Sequence, residues 1–96
     1  MALKDIFQIK DEATFKKLFS NTALSRTGRE GLLRNAAAVM ANQKGFPVLK
    51  DLVSAYQSED SEVLRYSYQQ CMSRLLEFAE GTDLSLIKAN LADSKA

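Results

Sequence analysis

The chain has 96 residues, of which 46% are hydrophobic and 26% charged, and its formal net charge is +1. This composition excludes a disordered chain, and the length allows one globular domain spanning residues 1–96. With four glycines, one proline and one cysteine, the chain is neither collagen-like nor a disulfide-stabilised scaffold. A domain this short buries only about 60% of the surface of its unfolded chain, so we expect it to need close packing or a partner.

The sequence lacks the residue types on which most catalytic and metal sites depend. It has no His, and a single cysteine, Cys71, cannot by itself form a disulfide, a zinc site or an iron–sulfur cluster. We expect Cys71 to be a small buried apolar residue. The acidic cluster Glu59, Asp60 and Glu62 is explained by a helix start, where the helix dipole favours acids. The sequence therefore predicts a protein that is not an enzyme and that binds no metal or cofactor.

Targeting signals are also missing from the sequence. The first residues, MALKDIFQI, lack the apolar run of a signal peptide. No segment approaches the roughly 18 apolar residues of a membrane span. Together with the single cysteine, these features predict a cytoplasmic protein that has no membrane partner.

The first half of the chain has the apolar periodicity of helices rather than the alternation of strands. Residues 3–9 are predicted to form a short helix or an ordered arm. Asp11 is the predicted N-cap of a helix that ends near Ser20. Thr27 and Glu30 form a capping box for a helix from about Gly28 to Asn42, with Gly45 as the C′ residue. The predicted buried positions of these two helices are Phe15, Leu18 and Phe19, then Leu32, Leu33, Ala36, Val39 and Met40.

The second half of the chain predicts three more helices. Pro47 lies in the first turn of one, and Asp60 is the predicted N-cap of a long helix from Ser61 to about Glu80 that Gly81 ends. Asp83 is expected to cap a last helix. The apolar stripes are Val48, Leu49, Leu52, Val53 and Tyr56, then Val63, Ser67, Cys71, Leu75 and Phe78. Tyr66 and Tyr68 are two residues apart, so we expect one in the core and one on the surface.

Two helix pairs resemble each other at an offset of about 31 residues: Leu32-Leu33-Arg34 aligns with Val63-Leu64-Arg65. Periods of this size are typical of helical solenoids. The predicted fold is all-α, a short HEAT-like right-handed solenoid of antiparallel helix pairs with about five helices. Repeat 1 covers about 11–44, repeat 2 about 46–80, and a terminal cap helix about 83–92. An ordinary bundle, whose amphipathic helices share a pattern by their nature, is the alternative.

The near-neutral net charge is the sum of a positively charged first half and a negatively charged second half of the chain. Residues 1–50 hold nine Lys or Arg against four Asp or Glu, whereas residues 51–96 hold four against eight. Such a basic half is suited to binding a polyanion, since Arg can bind phosphate through two hydrogen bonds; a plain solvated surface is the alternative. No aromatic residue interleaves with the cations in the first loop, so base stacking is not predicted. The basic cluster consists of Lys16, Lys17, Arg26, Arg29 and Arg34.

The segment from Phe15 to Ala37, FKKLFSNTALSRTGREGLLRNAA, resembles the start of the C-terminal HEAT-like domain of epoxyqueuosine reductase. That family has a phenylalanine-rich helix, a Thr/Ser-Ala/Pro-x-x-Arg segment and the run Leu-Leu-Arg-Asn-Ala-Ala. The similarity is strong over about residues 11–45 and fair to 80. Where the family continues Leu-Gly-Asn, this chain has Met-Ala-Asn at 40–42.

The resemblance implies a non-catalytic module. Enzymes of that family reduce epoxyqueuosine to queuosine in tRNA with cobalamin and two iron–sulfur clusters, and those parts precede the HEAT-like domain. The resemblance assigns Arg26, Arg29, Arg34 and Asn35 to a face that meets tRNA or the reductase domain.

The predicted function is therefore a non-catalytic HEAT-like binding or scaffold module that assists a tRNA-modifying or related enzyme through its basic face. The predicted nucleic-acid-binding or docking residues are Lys16, Lys17, Arg26, Arg29, Arg34 and Asn35. The predicted partners are tRNA or another polyanion, and a partner enzyme or a second copy of the chain. A protein-interaction module with no nucleic-acid role, self-association included, is the alternative.

Overall fold

The computed structural model of the protein describes residues 2–22 and 28–93, and these are helical without strands, which confirms the all-α prediction. Within them lie six α-helices, and a short 3-10 turn, Phe46–Val48, precedes the fourth. The helices are α1 (Leu3–Phe7), α2 (Glu12–Phe19), α3 (Gly28–Gln43), α4 (Leu49–Ser58), α5 (Glu62–Leu76) and α6 (Gly81–Asp93).

Of three predicted helix starts, one agrees with the structure, one differs and one cannot be compared. Asp11 caps α2, and its carboxylate accepts a hydrogen bond from the Thr14 backbone N–H at 2.7 Å. The prediction of Asp60 as the cap of α5 is wrong, because the Ser61 hydroxyl accepts from the Leu64 N–H instead. The capping box of α3 cannot be compared, since Thr27 lies outside the described residues.

The boundary between α5 and α6 also differs from the prediction. Helix α5 ends at Leu76 and not near Glu80, and Gly81 begins α6 rather than ending α5. Asp83, the predicted cap, lies inside the first turn of α6. Gly81 has a φ of +57°, a conformation that glycine adopts without the steric strain of a side chain.

A Schellman motif ends α3, and its C′ residue lies one position earlier than predicted. Lys44, with φ of +53°, is the left-handed C′ residue, and Gly45 follows it as C″. The Gly45 N–H donates to the Met40 carbonyl at 2.9 Å, and the Lys44 N–H donates to the Ala41 carbonyl at 3.3 Å. Glycine is favoured at 45 for its small size, because a Cβ there would lie 3.0 Å from the Met40 side chain.

Helices α3 and α5 pack side by side and run in the same direction. Near their N-terminal ends, the Ser61 hydroxyl donates to Glu30 at 3.3 Å. Near their C-terminal ends, Arg74 donates to the Asn42 side chain at 2.7 Å. These two contacts join residues 31 and 32 apart, which matches the offset of the sequence repeat.

The first helix pair does not have the predicted arrangement. The Arg29 N–H, at the start of α3, donates to Glu12 at the start of α2, at 3.3 Å. In an antiparallel hairpin, the start of α3 would instead meet the end of α2. Helix α1 packs against both α3 and α4, and its Phe7 belongs to the same buried cluster as Leu33 and Leu52. The predicted short helix of residues 3–9 therefore contributes Phe7 to the core.

The core lies mainly among α1, α3, α4 and α5, and α6 contributes the buried side chain of Ile87 to it. Most predicted core positions are buried, but four side chains of the predicted stripes are at least 40% exposed. Three of them lie at the edges of stripes that are wider than the surface each helix buries, and Phe78 lies beyond the end of α5. These four are Leu18, Val39, Val63 and Phe78.

Candidate nucleic-acid interface

The structure divides the predicted basic cluster into surface and interior residues. Lys16 and Lys17 are exposed in the last turn of α2, and Arg34 and Asn35 are exposed on α3. Arg26 lies outside the described residues. Neither Lys16 nor Lys17 has an ion-pair partner in the part of the chain that the structure describes.

Arg29 points inward and holds separate segments together. Its two terminal nitrogens donate to the Glu59 carboxylate at 3.2 and 2.5 Å, and its Nε donates to the Ile9 carbonyl at 2.8 Å. The side chains of Arg29 and Glu59 are only 12% and 5% exposed. This guanidinium is therefore occupied by protein groups and is not free to bind a phosphate, in contrast to the prediction.

The ion pair between Arg29 and Glu59 keeps both groups charged in spite of their burial. Burial alone lowers the pKa of Arg29, but the hydrogen bond and charge of Glu59 outweigh it and raise that pKa overall. Burial likewise raises the pKa of Glu59, and the bonds from Arg29 and the Ser61 N–H bring it below its ordinary value. Each group thus offsets the desolvation of the other, as a buried pair requires.

A groove of about 180 Å³ lies between α3 and α5. Arg34 of α3 and Arg74 of α5 line it, and the exposed ring of Tyr66 forms part of one wall. The groove stays open because α3 contributes small side chains, Ala37, Ala38 and Ala41. The structure thus brings together one arginine from each half of the chain and an aromatic ring.

A second hollow adjoins the first at the C-terminal ends of both helices, and it shares Ala41 and Arg74 with it. It adds Lys44, the ring of Phe78 and one carboxylate, Glu77. The Lys44 ammonium lies 4.1 Å from the centre of the Phe78 ring, which is a cation–π distance. We call the two hollows together the α3/α5 groove.

The α3/α5 groove carries more positive than negative charge. Arg34, Arg74 and Lys44 line it, with Glu77 as the one carboxylate among its described lining residues. No ion pair within 4.0 Å joins any of these cations to an acid in the described ranges 2–22 and 28–93. All three side chains are exposed to solvent, although Arg74 also donates to Asn42.

Sequence reasoning missed Arg74, Lys44, Tyr66 and Phe78 as site residues. The sequence does contain a signal for two of these residues. Tyr66, Gln70 and Arg74 follow one another at intervals of four residues, which places them on the same face of a helix over about two turns. The prediction that one of Tyr66 and Tyr68 is buried is confirmed, since Tyr68 is fully buried and Tyr66 is 61% exposed.

Cys71 lies at the bottom of the groove as a buried free thiol, which confirms the expectation from sequence. Burial raises its pKa to about 11, although nearby Arg74 lowers it slightly. The thiol is therefore neutral at physiological pH and a poor nucleophile.

The residues that the structure describes contain neither a metal-binding cluster nor a membrane-spanning helix. No group of three or more His, Cys, Asp or Glu side chains in residues 2–22 and 28–93 has an arrangement that could hold a metal ion. None of the helices in these ranges combines the length and the apolar character needed to cross a membrane.

Comparisons with protein-family models, with curated proteins and with solved structures find no match to this chain. The assignment of function therefore depends on the geometry of the α3/α5 groove and on the sequence.

Proposed function

We propose that this protein is a non-catalytic, HEAT-like binding module that binds tRNA or a similar RNA and so assists a tRNA-modifying or related enzyme. The observation that carries the proposal is the α3/α5 groove, where Arg34 and Arg74 are exposed to solvent and have no acidic partner among the described residues. Arginine binds phosphate through two parallel hydrogen bonds, and several such contacts give salt-dependent affinity for nucleic acids. Lys16 and Lys17 add positive charge on α2.

The proposed architecture is a short right-handed solenoid. Two observations support it. Helices α3 and α5 pack in parallel, with contacts between residues 31 and 32 positions apart, as in the sequence repeat. Helix α5 also runs back along α4. Arg65, early in α5, donates to the Tyr56 carbonyl at the end of α4 at 2.8 Å and lies over the Tyr56 ring. In such a solenoid the second helices of successive pairs line one surface, and α3 and α5 would occupy these positions, although the start of α3 meets the start of α2 rather than its end.

Binding of tRNA to the whole chain, measured by fluorescence anisotropy over a series of salt concentrations, tests the proposal. We expect affinity to fall steeply with salt, and Arg34→Ala to weaken binding and reduce the slope of log affinity against log salt by about 0.7–0.9. Lys88→Ala is the matched control, because it removes one positive charge from an exposed position on α6. The proposal fails if no tRNA binds at about 50 mM salt, or if both substitutions have the same effect.

Docking onto a protein is the second candidate function, and the exposed apolar side chains Val39, Val63 and Phe78 favour it. Exposed groups of this kind are found at protein interfaces. Capture of a partner from the source cell that survives RNase treatment would support this candidate. Loss of capture upon RNase treatment would instead support RNA binding.

A further inference from the structure

The walls of the α3/α5 groove are two stripes of side chains that run alongside each other. On α3, Arg34, Ala38 and Ala41 are separated by four and three residues, so they lie on one face. On α5, Tyr66 and Arg74 lie on one face, two turns apart. Because the helices are parallel, the stripes face each other along their length rather than crossing at a point.

The cations are spread along the groove. Arg74 bonds to Asn42, and Arg34 lies eight residues before Asn42 on the same helix, so the two arginines are about 12 Å apart along the helix axis. Lys44 lies further on, beyond the end of α3. A compact anion would meet one of these groups, whereas an extended polyanion meets several.

Aromatic rings accompany the cations along the groove. Tyr66 and Phe78 are 61% and 51% exposed, and both line the groove together with Arg74. Because the Lys44 ammonium lies over one face of the Phe78 ring, a base stacks on Phe78 only at the opposite face or by displacing Lys44. Such rings are platforms on which unpaired bases stack, and cationic grooves with aromatic platforms are typical of single-strand binding. In an RNA duplex the bases are already stacked on one another, and proteins contact mainly its phosphates and hydroxyls.

We propose that the α3/α5 groove binds a single-stranded segment of RNA, with phosphates on Arg34 and Arg74 and bases stacked on Tyr66 and Phe78. This inference rests on the proposed function and specifies the form of RNA that the module takes. It differs from the expectation from sequence, in which the cations of the first loop had no aromatic neighbours. Tyr66 comes instead from α5, which packs against α3, and Phe78 comes from the turn that follows α5.

The test compares a fluorescently labelled 12-nucleotide single strand with the same strand annealed to its complement, using the whole chain and anisotropy. We expect the single strand to bind more tightly, and Tyr66→Ala and Phe78→Ala each to weaken that binding by about five- to 150-fold. Their salt slopes stay unchanged, whereas Arg34→Ala and Arg74→Ala each lower the slope by about 0.7. Leu18→Ala, which truncates a half-exposed side chain on α2, is the control and leaves binding unchanged.

Tyrosine emission gives a second readout that does not depend on truncating a side chain. The chain has no Trp and three Tyr, of which Tyr56 and Tyr68 are buried. Stacking of a base on Tyr66 should therefore quench the exposed part of the emission. Tyr66→Phe should bind the single strand as tightly as the natural protein but lose this quenching.

The outcomes separate the inference from the function on which it rests. Equal affinity for single strand and duplex, with no effect of Tyr66→Ala, would overturn the stacking inference while leaving RNA binding intact. Absence of any RNA binding at about 50 mM salt would overturn both. Dissociation of a self-associated form by Tyr66→Ala, seen by light scattering without RNA binding, would overturn both in favour of a protein interface.

Discussion

At the scale of single residues, the ion pair between Arg29 and Glu59 joins the basic half of the chain to the acidic half. Arg29 also donates to the Ile9 carbonyl, and Glu59 accepts from the Ser61 N–H, so the pair fixes the segments before α2 and α5 relative to α3. A charge that looked like part of a binding surface in the sequence is thus part of the interior. Its position suits an arginine, whose planar group makes several directed hydrogen bonds at once.

Arg29→Ala should lower the free energy of unfolding at pH 7 by roughly 3 kcal/mol, because it leaves the Glu59 carboxylate buried without its cation. Glu59→Gln should also destabilise the protein at this pH. Urea unfolding monitored by circular dichroism measures both effects. Arg34→Ala, which truncates an exposed arginine, should change stability by less than about 0.5 kcal/mol. A similar loss in Arg34→Ala would contradict the interior role assigned to Arg29.

The stability that Glu59 provides should depend on pH. Its pKa in the folded protein is below the ordinary 4.5, so its contribution is present above that value and is lost as pH falls through the folded pKa. The stability difference between the natural protein and Glu59→Gln should therefore be larger at pH 7 than at pH 3. The raised pKa of Arg29 has no effect near neutrality, because Arg29 stays protonated in both states. A difference that grows on acidification would contradict this assignment.

At the scale of helices, the start of α5 determines how α5 meets α3. The Ser61 hydroxyl accepts from the Leu64 N–H at 3.3 Å and lies within hydrogen-bond distance of the Glu30 carboxylate on α3. The neighbouring Asp60 is equally suited to an N-cap by its residue type, yet it lies one position too early. The Glu59 carboxylate accepts from the Ser61 N–H and fixes this turn, so a contact outside the helix selects between two adjacent capping residues.

Ser61→Ala should lower the free energy of unfolding by about 1 kcal/mol, since it removes the hydroxyl that satisfies an N–H of the first turn. Asp60→Ala is the matched control and should cost no more than a few tenths of a kcal/mol, from the helix dipole alone. Thermal unfolding of the two variants beside the natural protein measures the difference. If Asp60→Ala is the more damaging substitution, the observed start of α5 is wrong.

At the scale of the whole molecule, α1 shows how a small domain completes its core. Phe7 is 3% exposed and packs edge-on against the Tyr68 ring, with 6.0 Å between the ring centres. It belongs to the cluster formed by α3, α4 and α5. A chain of 96 residues has few large side chains to bury, so each one contributes a large share of the stability.

Phe7→Ala should therefore destabilise the protein by about 3–5 kcal/mol, the usual result of deleting a buried ring. Leu18→Ala serves as a comparison, because Leu18 is 50% exposed and its truncation should cost well under half as much. Urea unfolding at neutral pH measures both free energies. Equal losses would show that α1 is not part of the core.

Most local features could be predicted from the sequence. Apolar spacing predicted the helices, residue type predicted Asp11 as a cap, and the two-residue separation of Tyr66 and Tyr68 predicted that only one is buried. These properties depend on residues within about one turn of each other. The exposure of Phe78 could not be predicted, because the apolar spacing did not reveal that α5 ends at Leu76.

The sequence by itself determined that this protein is helical, that Cys71 is buried and that positive charge is concentrated in its first half. Only the tertiary structure decided which of those charges are available, because it directs Arg29 to Glu59 and leaves Arg34 facing a groove. It also placed Tyr66 and Arg74, from the acidic half, in the same groove as Arg34. The physical reason is that helix formation follows from local spacing, whereas contacts between residues some 30 positions apart depend on how whole helices pack.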